Sequence, residues 1–356
     1  MHTLEERPTL RGIARACGVS AKTVSLVLNR KPGVSAETRS RVLKLVRESG
    51  YHPRNGNLAP LGIAVRSVGV TLPAPLETVP LSQGFFLWLY EELYRVFGSR
   101  GYYVTFDINP YAASLNGDYA RGLWDQMFRA CILAGPLSER DTTAARIHKA
   151  GVPYLAMGRL DSLPELSFST VDYEEGAYLC ARFLIDRGHK RIGMLQAFSG
   201  YTPGVERTRG YRRAIEEAGL PYNNTLARSV DFRARNIANM VHRILDNDEV
   251  TALIDCSSTE DAQALREGAR RAGRVPGKDF EVVAWTYVND AAVLSEACAH
   301  LWLPVREAAA DGMEQLAAWI EGEREGPIQV LYSPTLYTTA AKGEIPKPRR
   351  LFETSD

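Results

Sequence analysis

Between Val19 and Asn29 the chain reads VSAKTVSLVLN. Val24, Val27 and Leu28 recur at helical spacing, while the other side offers Lys22, Thr23, Ser25 and Asn29. A face built from hydroxyls, one amide and one ammonium packs poorly but suits a polar, charged partner. Hydroxyls and the N–H groups at a helix start bind phosphate oxygens. A lysine reaches the guanine acceptors of the DNA major groove. The chemistry suggested is non-covalent recognition of a polyanion. The distribution of charge agrees, because net charge over the whole chain is only +1. Met1 to Arg54 holds eleven Lys/Arg against four Asp/Glu, a net of +7, which leaves −6 on the remainder. A basic head on a mildly acidic body points the head at nucleic acid.

Three short helices must position that face. Thr9 is a candidate N-cap for a first helix carrying Leu10, Ile13, Ala14 and Cys17 on one side. Gly18 ends it with the left-handed backbone of a tight turn. Ser20 caps the second helix, Ala21 to about Leu28, and residues 29–33 read as a loop. Ser35 caps a third helix, with Glu37 near its positive end and Val42, Leu45 and Val46 as its apolar stripe. Helix, glycine turn, helix is the helix-turn-helix arrangement, in which the second helix enters the major groove. A three-helix bundle used for protein contacts remains the other reading of these patterns. Arg11, Arg15, Arg30, Lys31 and Arg39 add charge for the phosphate backbone.

Beyond Ser67, short apolar runs alternate with amphipathic ones. VGVTLP, YYVTFDI, ACILAG and VPYLAMG read as strands, and the theme restarts near Ser169 with RIGMLQ, TALIDC and FEVVAW. Helices are expected over Gln83 to Gly98, Glu174 to Arg187 and Arg207 to Ala218. Alternation of this kind implies parallel sheets with right-handed crossovers, and two rounds of it imply two lobes. Ligands of such folds sit at the carboxyl ends of strands, here between the lobes.

The string TLRGIARACGVSAKTVSLVLNRKPGVSAETRSRVLKLVRESGYHP, Thr9 to Pro53, closely resembles the DNA-binding head of lac repressor (LacI/GalR) family regulators. STVDYEEGAYLCARFLIDRGHKRIGML, ERTRGYRRAIEEAGL and LPVREAAADGMEQLAAWIEGE are similar to that family's sensor. GFF (Gly84 to Phe86) and LAMGR (Leu155 to Arg159) resemble its α-glucoside and raffinose branch. The resemblance implies an α/β fold, with a small all-α helix-turn-helix head and a two-lobed periplasmic-binding-protein-like sensor. The implied divisions are a head over 1–54, a linker over 55–67, a sensor over 68–346 and a tail over 347–356. Lobe 1 would take about 68–167 and 300–330, and lobe 2 about 168–299 and 331–346.

By the same resemblance Ser20, Thr23, Ser25 and Asn29 hold phosphates, with Thr9 and Arg30 beside them. Ala21, Lys22 and Leu26 take the base-reading positions. Leu26 departs from the family, where a polar or basic residue is usual. Leucine can touch a thymine methyl but cannot hydrogen-bond, so the operator is expected to differ there. Family members wedge a linker leucine into the minor groove. Leu58 and Leu61 are the candidates, although Gly56, Pro60 and Gly62 are poor helix residues, and a plain tether is the alternative. In the sensor, Arg207 matches the arginine that clamps effector hydroxyls or carboxylates. Phe232 matches an aromatic that stacks on the ligand, or is core. Phe85 and Phe86 are candidates for the opposite wall. Asp172 is either a cleft acceptor or an N-cap. Ser257 and Ser258 stand where the family has Asn-Asp, and Thr286 where it has Asp. Lost carboxylates imply a ligand other than a simple hexose, or loss of effector binding.

Enzyme chemistry finds no support in the pattern. The six histidines are dispersed and the five cysteines have no metal or disulfide spacing. FSGYTPG lacks a phosphate-loop lysine. No catalytic residue, cofactor or metal is expected. No run of ~18 apolar residues and no basic-then-apolar leader is present, so the expectation is a cytoplasmic protein with reduced cysteines and no membrane partner. A single head grips one half-site, so a homodimer on palindromic double-stranded DNA is expected, switched by a small molecule, a sugar or sugar derivative. The chain ends without a leucine heptad, which argues against a tetramer made by its tail.

Overall fold

The computed structural model describes residues 9–28, 33–49, 66–73, 83–107, 118–125, 127–197, 200–230, 234–246, 249–257, 262–286, 295–338 and 349–350. The expected linker, 55–67, falls almost wholly outside them, as does the tail apart from 349–350.

The head is three helices, α1 (Leu10–Ala16), α2 (Ala21–Leu28) and α3 (Ala36–Ser49). Ile13, Ala14, Cys17, Val24, Val27, Leu28, Val42 and Val46 form its core. The caps lie where the hydroxyls stand in the sequence. Thr9 Oγ1 accepts from Gly12 N at 3.1 Å, Ser20 Oγ from Thr23 N at 3.0 Å and Ser35 Oγ from Thr38 N at 3.2 Å. Gly18 turns the chain between α1 and α2 at φ +64°, which disfavours a side chain.

The sensor contains two sheets. The first holds β1 (Ser67–Thr71), β2 (Tyr103–Asp107), β3 (Ala130–Leu133), β4 (Tyr154–Ala156), β5 (Phe168–Val171), β11 (Gln329–Ser333) and β13 (Arg349–Arg350), in the order β13-β11-β5-β4-β3-β1-β2. The second holds β6 (Ile192–Gln196), β7 (Ala227–Ser229), β8 (Ala252–Asp255), β9 (Glu281–Thr286), β10 (Ala299–Trp302) and β12 (Thr335–Thr338), in the order β12-β10-β9-β8-β6-β7. Pairing is parallel except at β11–β13 and β10–β12.

Strand periodicity explains the layering. In β3, Ala130 and Ile132 face one core with Val68, Val70 and Met313, while Cys131 and Leu133 face another with Ile147 and Tyr154. In the second sheet Ile192, Met194 and Ile254 face α7 (Tyr173–Asp186) and α8 (Thr202–Glu217), whereas Leu195, Leu253 and Val282 face α9 (Ala234–Leu245) and α10 (Gln263–Arg271). Sheets buried on both faces need the near-continuous apolar runs seen in the sequence. α7 and α8 meet closely, because a Cβ on Gly210 would lie 1.9 Å from Glu174 O.

The lobe boundaries differ from the expected ones. Strand β5 pairs with β4, so the first crossing follows Val171 rather than residue 167. Strand β10 pairs with β9 through its whole length, and β11 with β5. The return crossing therefore enters α11 (Val305–Glu321), and the last lies between Ser333 and Thr335. Hydropathy locates a strand; only its backbone partner says which sheet it joins. α8 also begins five residues before the expected Arg207, with Pro203 in its first turn, a residue suited to helix starts. The expected helix from Gln83 to Gly98 is an α-helix, α4 (Gln83–Leu93), continued by a π-turn, Tyr94–Gly98. Among the described residues no helix is long and apolar enough to cross a membrane.

Candidate nucleic-acid interface and effector cleft

On the head, Lys22 and Ser20 are exposed, and Ala21, Thr23, Ser25 and Leu26 are half-buried. Val24, Val27 and Leu28 point the other way, into the core. Ser20 Oγ lies 2.8 Å from Thr23 Oγ1 as well as capping Thr23 N. These hydroxyls therefore serve the helix start while remaining at its surface. Arg11, Arg15 and Arg41 are exposed on the same small domain. Asn29, Arg30, Leu58 and Leu61 lie outside the described residues.

The cleft side of the second sheet is built from strand ends and helix starts. Arg207 lies in the second turn of α8 and is 2% exposed. Its guanidinium carbon is 4.8 Å from the ring centroid of Trp285 and 5.0 Å from that of Tyr173. Those rings are parallel within 7°, with centroids 6.2 Å apart. A guanidinium held against two aromatic faces gains cation–π attraction in a desolvated place. Thr286 follows Trp285 at the end of β9, and Ser257 follows the end of β8; both are buried. Burial pushes the neighbouring Cys256 thiol up, and the charge of Arg207 pulls against it.

Sequence reasoning missed Tyr173, Trp285, Asp255, Arg159 and Glu206. Asp255, at the end of β8, accepts from Ser257 N at 2.9 Å and from the Ser257 hydroxyl. Burial holds its carboxyl above the usual range. A carboxylate is thus present behind Ser257 although the expected Asn-Asp positions lack one. The signal for it lay in TALIDC, which read only as a strand.

Arg159 and Glu206 tie one lobe to the other. Arg159 follows β4 in the first lobe, and its Nε donates to Glu206 Oε1 of α8 at 2.6 Å. Glu206 is 4% exposed, and burial pushes its carboxyl up to about 6 against the pull of Arg159. Arg159 Nη2 also reaches Asp172 Oδ1 at 3.4 Å, the atom that accepts from Glu175 N at 3.0 Å as the N-cap of α7. Of the two readings of Asp172, the N-cap is the one its bonding displays. Arg209 Nη1 donates to Asp161 Oδ2 at 2.6 Å, and Thr202 N donates to Leu137 O at 2.8 Å. Glu139 accepts from Asp161 N and Ser162 N at 3.0 Å each, fixing the loop that carries Arg159. Arg159 and Glu206 are 47 residues apart, a pairing that periodicity cannot reveal.

Phe232 and Ser258 lie outside the described residues. Phe85 and Phe86 lie in the first turn of α4. His189 is at a helix-to-strand turn, its ring nitrogens 2.8 Å from Thr251 Oγ1 and 3.1 Å from Glu281 Oε2. It fastens that turn far from the cleft. Among the described residues no group of three or more His, Cys, Asp or Glu could hold a metal ion.

Residues 9–54 match the bacterial regulatory proteins of the lacI family, and residues 181–339 match the periplasmic binding protein-like domain. Catabolite control protein A of Priestia megaterium is 25% identical over 324 residues, covering 88% of this chain and 93% of that protein. The HTH-type transcriptional regulator CelR of Thermobifida fusca is 29% identical over 283 residues, covering 78% of this chain and 82% of CelR. AglR of Rhizobium meliloti strain 1021 is likewise 29% identical, covering 77% of this chain and 76% of AglR. Among solved structures, the CelR–cellobiose complex superposes with a TM-score of 0.64 at 25% identity, covering 93% of this chain and 99% of that one. The operator-bound lac repressor dimer shares the fold, with a TM-score of 0.62 at 19% identity, covering 93% and 98%. Head and sensor are matched separately, and the relatives run across the junction between them: the chain joins the head of the bacterial regulatory proteins of the lacI family to a periplasmic binding protein-like domain and is a DNA-binding transcriptional regulator.

Proposed function

We propose that this regulator is a cytoplasmic repressor that binds a palindromic operator as a homodimer and is switched by a small molecule held between its lobes. A carbohydrate is the ligand class the cleft favours. The observation that carries this is Arg207, a desolvated fork of donors set against the faces of Tyr173 and Trp285. Sugars present hydroxyls to donors and C–H faces to aromatic rings. Ser257, Thr286 and Asp255 add polar groups at the same strand ends. The CelR structure holds cellobiose, which makes a disaccharide the first ligand to try.

The homodimer reading draws on the first lobe. Leu87, Tyr90 and Tyr94 on one helix, Tyr103 and Phe106 on the edge strand β2, and Met127 are all exposed, Tyr94 at 68% and Tyr103 at 79%. Leu87, Tyr90 and Tyr94 fall at helical spacing, and exposed apolar side chains grouped in this way mark an interaction surface. A second copy covering it pairs the two heads for two half-sites.

The test is thermal unfolding of the full chain against mono-, di- and acidic sugars. A ligand at a hundred times its Kd stabilises by ~2.7 kcal/mol, roughly 5–10 °C in midpoint. Arg207→Ala should lose that shift and keep operator binding. A flat panel with intact operator binding would favour the second reading, a regulator with a non-sugar effector or none. Ser257 and Thr286 in place of carboxylates support that reading.

A further inference from the structure

Strand β7 is an edge of the second sheet and pairs only with β6 among the described residues. Met194 N donates to Leu226 O, and Val230 N donates to Gln196 O, each at 2.8 Å. A parallel ladder spends alternate residues of a strand on one neighbour. Ala227 and Ser229 therefore turn their N–H and C=O groups away from β6. An open row of this kind is a template for another strand.

Each face of that edge carries a groove. Ser229 lines one of about 370 Å³ with Thr208, Arg209 and Arg212 of α8. Val230 lines one of about 500 Å³ with Asn236, Asn239, Met240 and Arg243 of α9. Ala227 packs towards the core under α7 and α8, and Val230 towards the core under α9 and α10, so Arg228 stands on the α9 side. No carboxylate lines either groove. Arg212, Arg228 and Arg243 are exposed, and among the described residues no carboxylate pairs with them. Arg212 is held instead over the ring of Tyr222, 4.4 Å from its centroid.

We propose that the free edge of β7 docks an extended, acidic segment of a partner protein by strand addition. Main-chain hydrogen bonds to Ala227 and Ser229 supply the pairing, and alternate side chains of the segment enter the two grooves. Carboxylates there meet Arg212 on one face and Arg228 and Arg243 on the other. Extended acidic chain is the occupant that satisfies both the open backbone groups and the unpaired cations. A second copy of this chain is disfavoured, because two such edges brought together place arginines against arginines.

The experiment uses the full chain and a displayed library of short random peptides. Recovered peptides should be rich in Asp and Glu, and their affinity should fall as salt is raised. Arg212→Glu combined with Arg243→Glu should weaken them about tenfold. Ser229→Pro removes an outward N–H and no bond to β6, so it should abolish binding with the unfolding midpoint unchanged. The tightest peptide is then N-methylated on alternate residues, in each of the two registers. One register should lose binding and the other keep it, since only one edge of an added strand faces β7. That series needs no variant of the protein. A library without binders, peptides without acidic enrichment, or binding indifferent to the arginine reversals overturns the proposal. Acidic peptides that tolerate N-methylation in both registers bind by charge alone, which overturns strand addition. Self-association of the chain that Ser229→Pro removes would make a second copy the occupant and overturn the acidic partner.

Discussion

The polar groups of α2 and those around α8 do opposite things with the same chemistry. On α2, the Ser20 and Thr23 hydroxyls satisfy the helix start three residues apart and stay at the surface. On α8, Glu206 and Arg209 bond to residues of the other lobe, and Arg209 also to Glu174 of its own. The head is a finished local object that gains contacts when it binds. A change in the angle between the lobes must exchange contacts that the cleft already has. A recognition surface is therefore tunable one residue at a time, while a switch moves its partners together.

Four substitutions would break or sharpen this contrast. Arg159→Ala has the largest expected effect, because it leaves the buried Glu206 carboxylate without its ion-pair partner. A loss of about 3 kcal/mol is expected near neutral pH, read as a lower unfolding midpoint of the sensor with operator contacts of the head unaltered. A variant as stable as the native protein would show that the tie contributes nothing to the sensor.

Lys22→Ala should do the reverse. Operator affinity should fall by about 2 kcal/mol and specificity should loosen, with the unfolding midpoint unchanged. Unchanged affinity in a binding titration removes Lys22 from the reading surface. Ser20→Ala should cost the head about 1 kcal/mol through the lost cap. Circular dichroism of the melting head should report it, and the sensor transition should not move.

Glu206→Gln has the smallest effect and the most telling sign. The carboxyl titrates at about 6 in the folded sensor, above its ordinary value. Its stabilising contribution is fully present below the unfolded value and is lost as pH rises through about 6. The amide cannot titrate, so the variant should gain stability relative to the native protein between pH 5 and 7. Glu281 runs the other way. Arg187 bonds to it and holds it down at about 2, so its contribution persists above the ordinary carboxylate range and disappears only in strong acid. A native–variant difference that stays flat from pH 5 to 7 would mean that Glu206 is not held as its surroundings imply.

The same contrast governs what could be read before the structure. Thr9, Ser20 and Ser35 announce helix starts because a cap needs only the next three residues. The strands of both sheets were legible because burial on two faces writes itself as an apolar run. Arg207 was reached through a matching motif, but its walls were not. Trp285 ends an apolar strand, where an aromatic reads as core, and Tyr173 sits where a helix start was already explained by Asp172. The Arg159–Glu206 tie leaves no local mark, since two charged residues in polar segments look like solvated surface. The lobe boundaries failed for a similar reason: the choice between two sheets is made by pairing, which hydropathy does not record.

Strands β11 and β12 belong to different sheets yet are separated by Pro334 alone. With the chain also crossing after Val171 and before Val305, the lobes share three short connections rather than a flexible neck. A link of one residue has almost no slack to stretch. Relative motion of the lobes is therefore restricted to rotation about an axis near these crossings, and sliding is suppressed. Displacement then grows with distance from the axis, as in a lever. A ligand close to the crossings works on the short arm, so a small change in its contacts becomes a larger movement at the far end of the lobe.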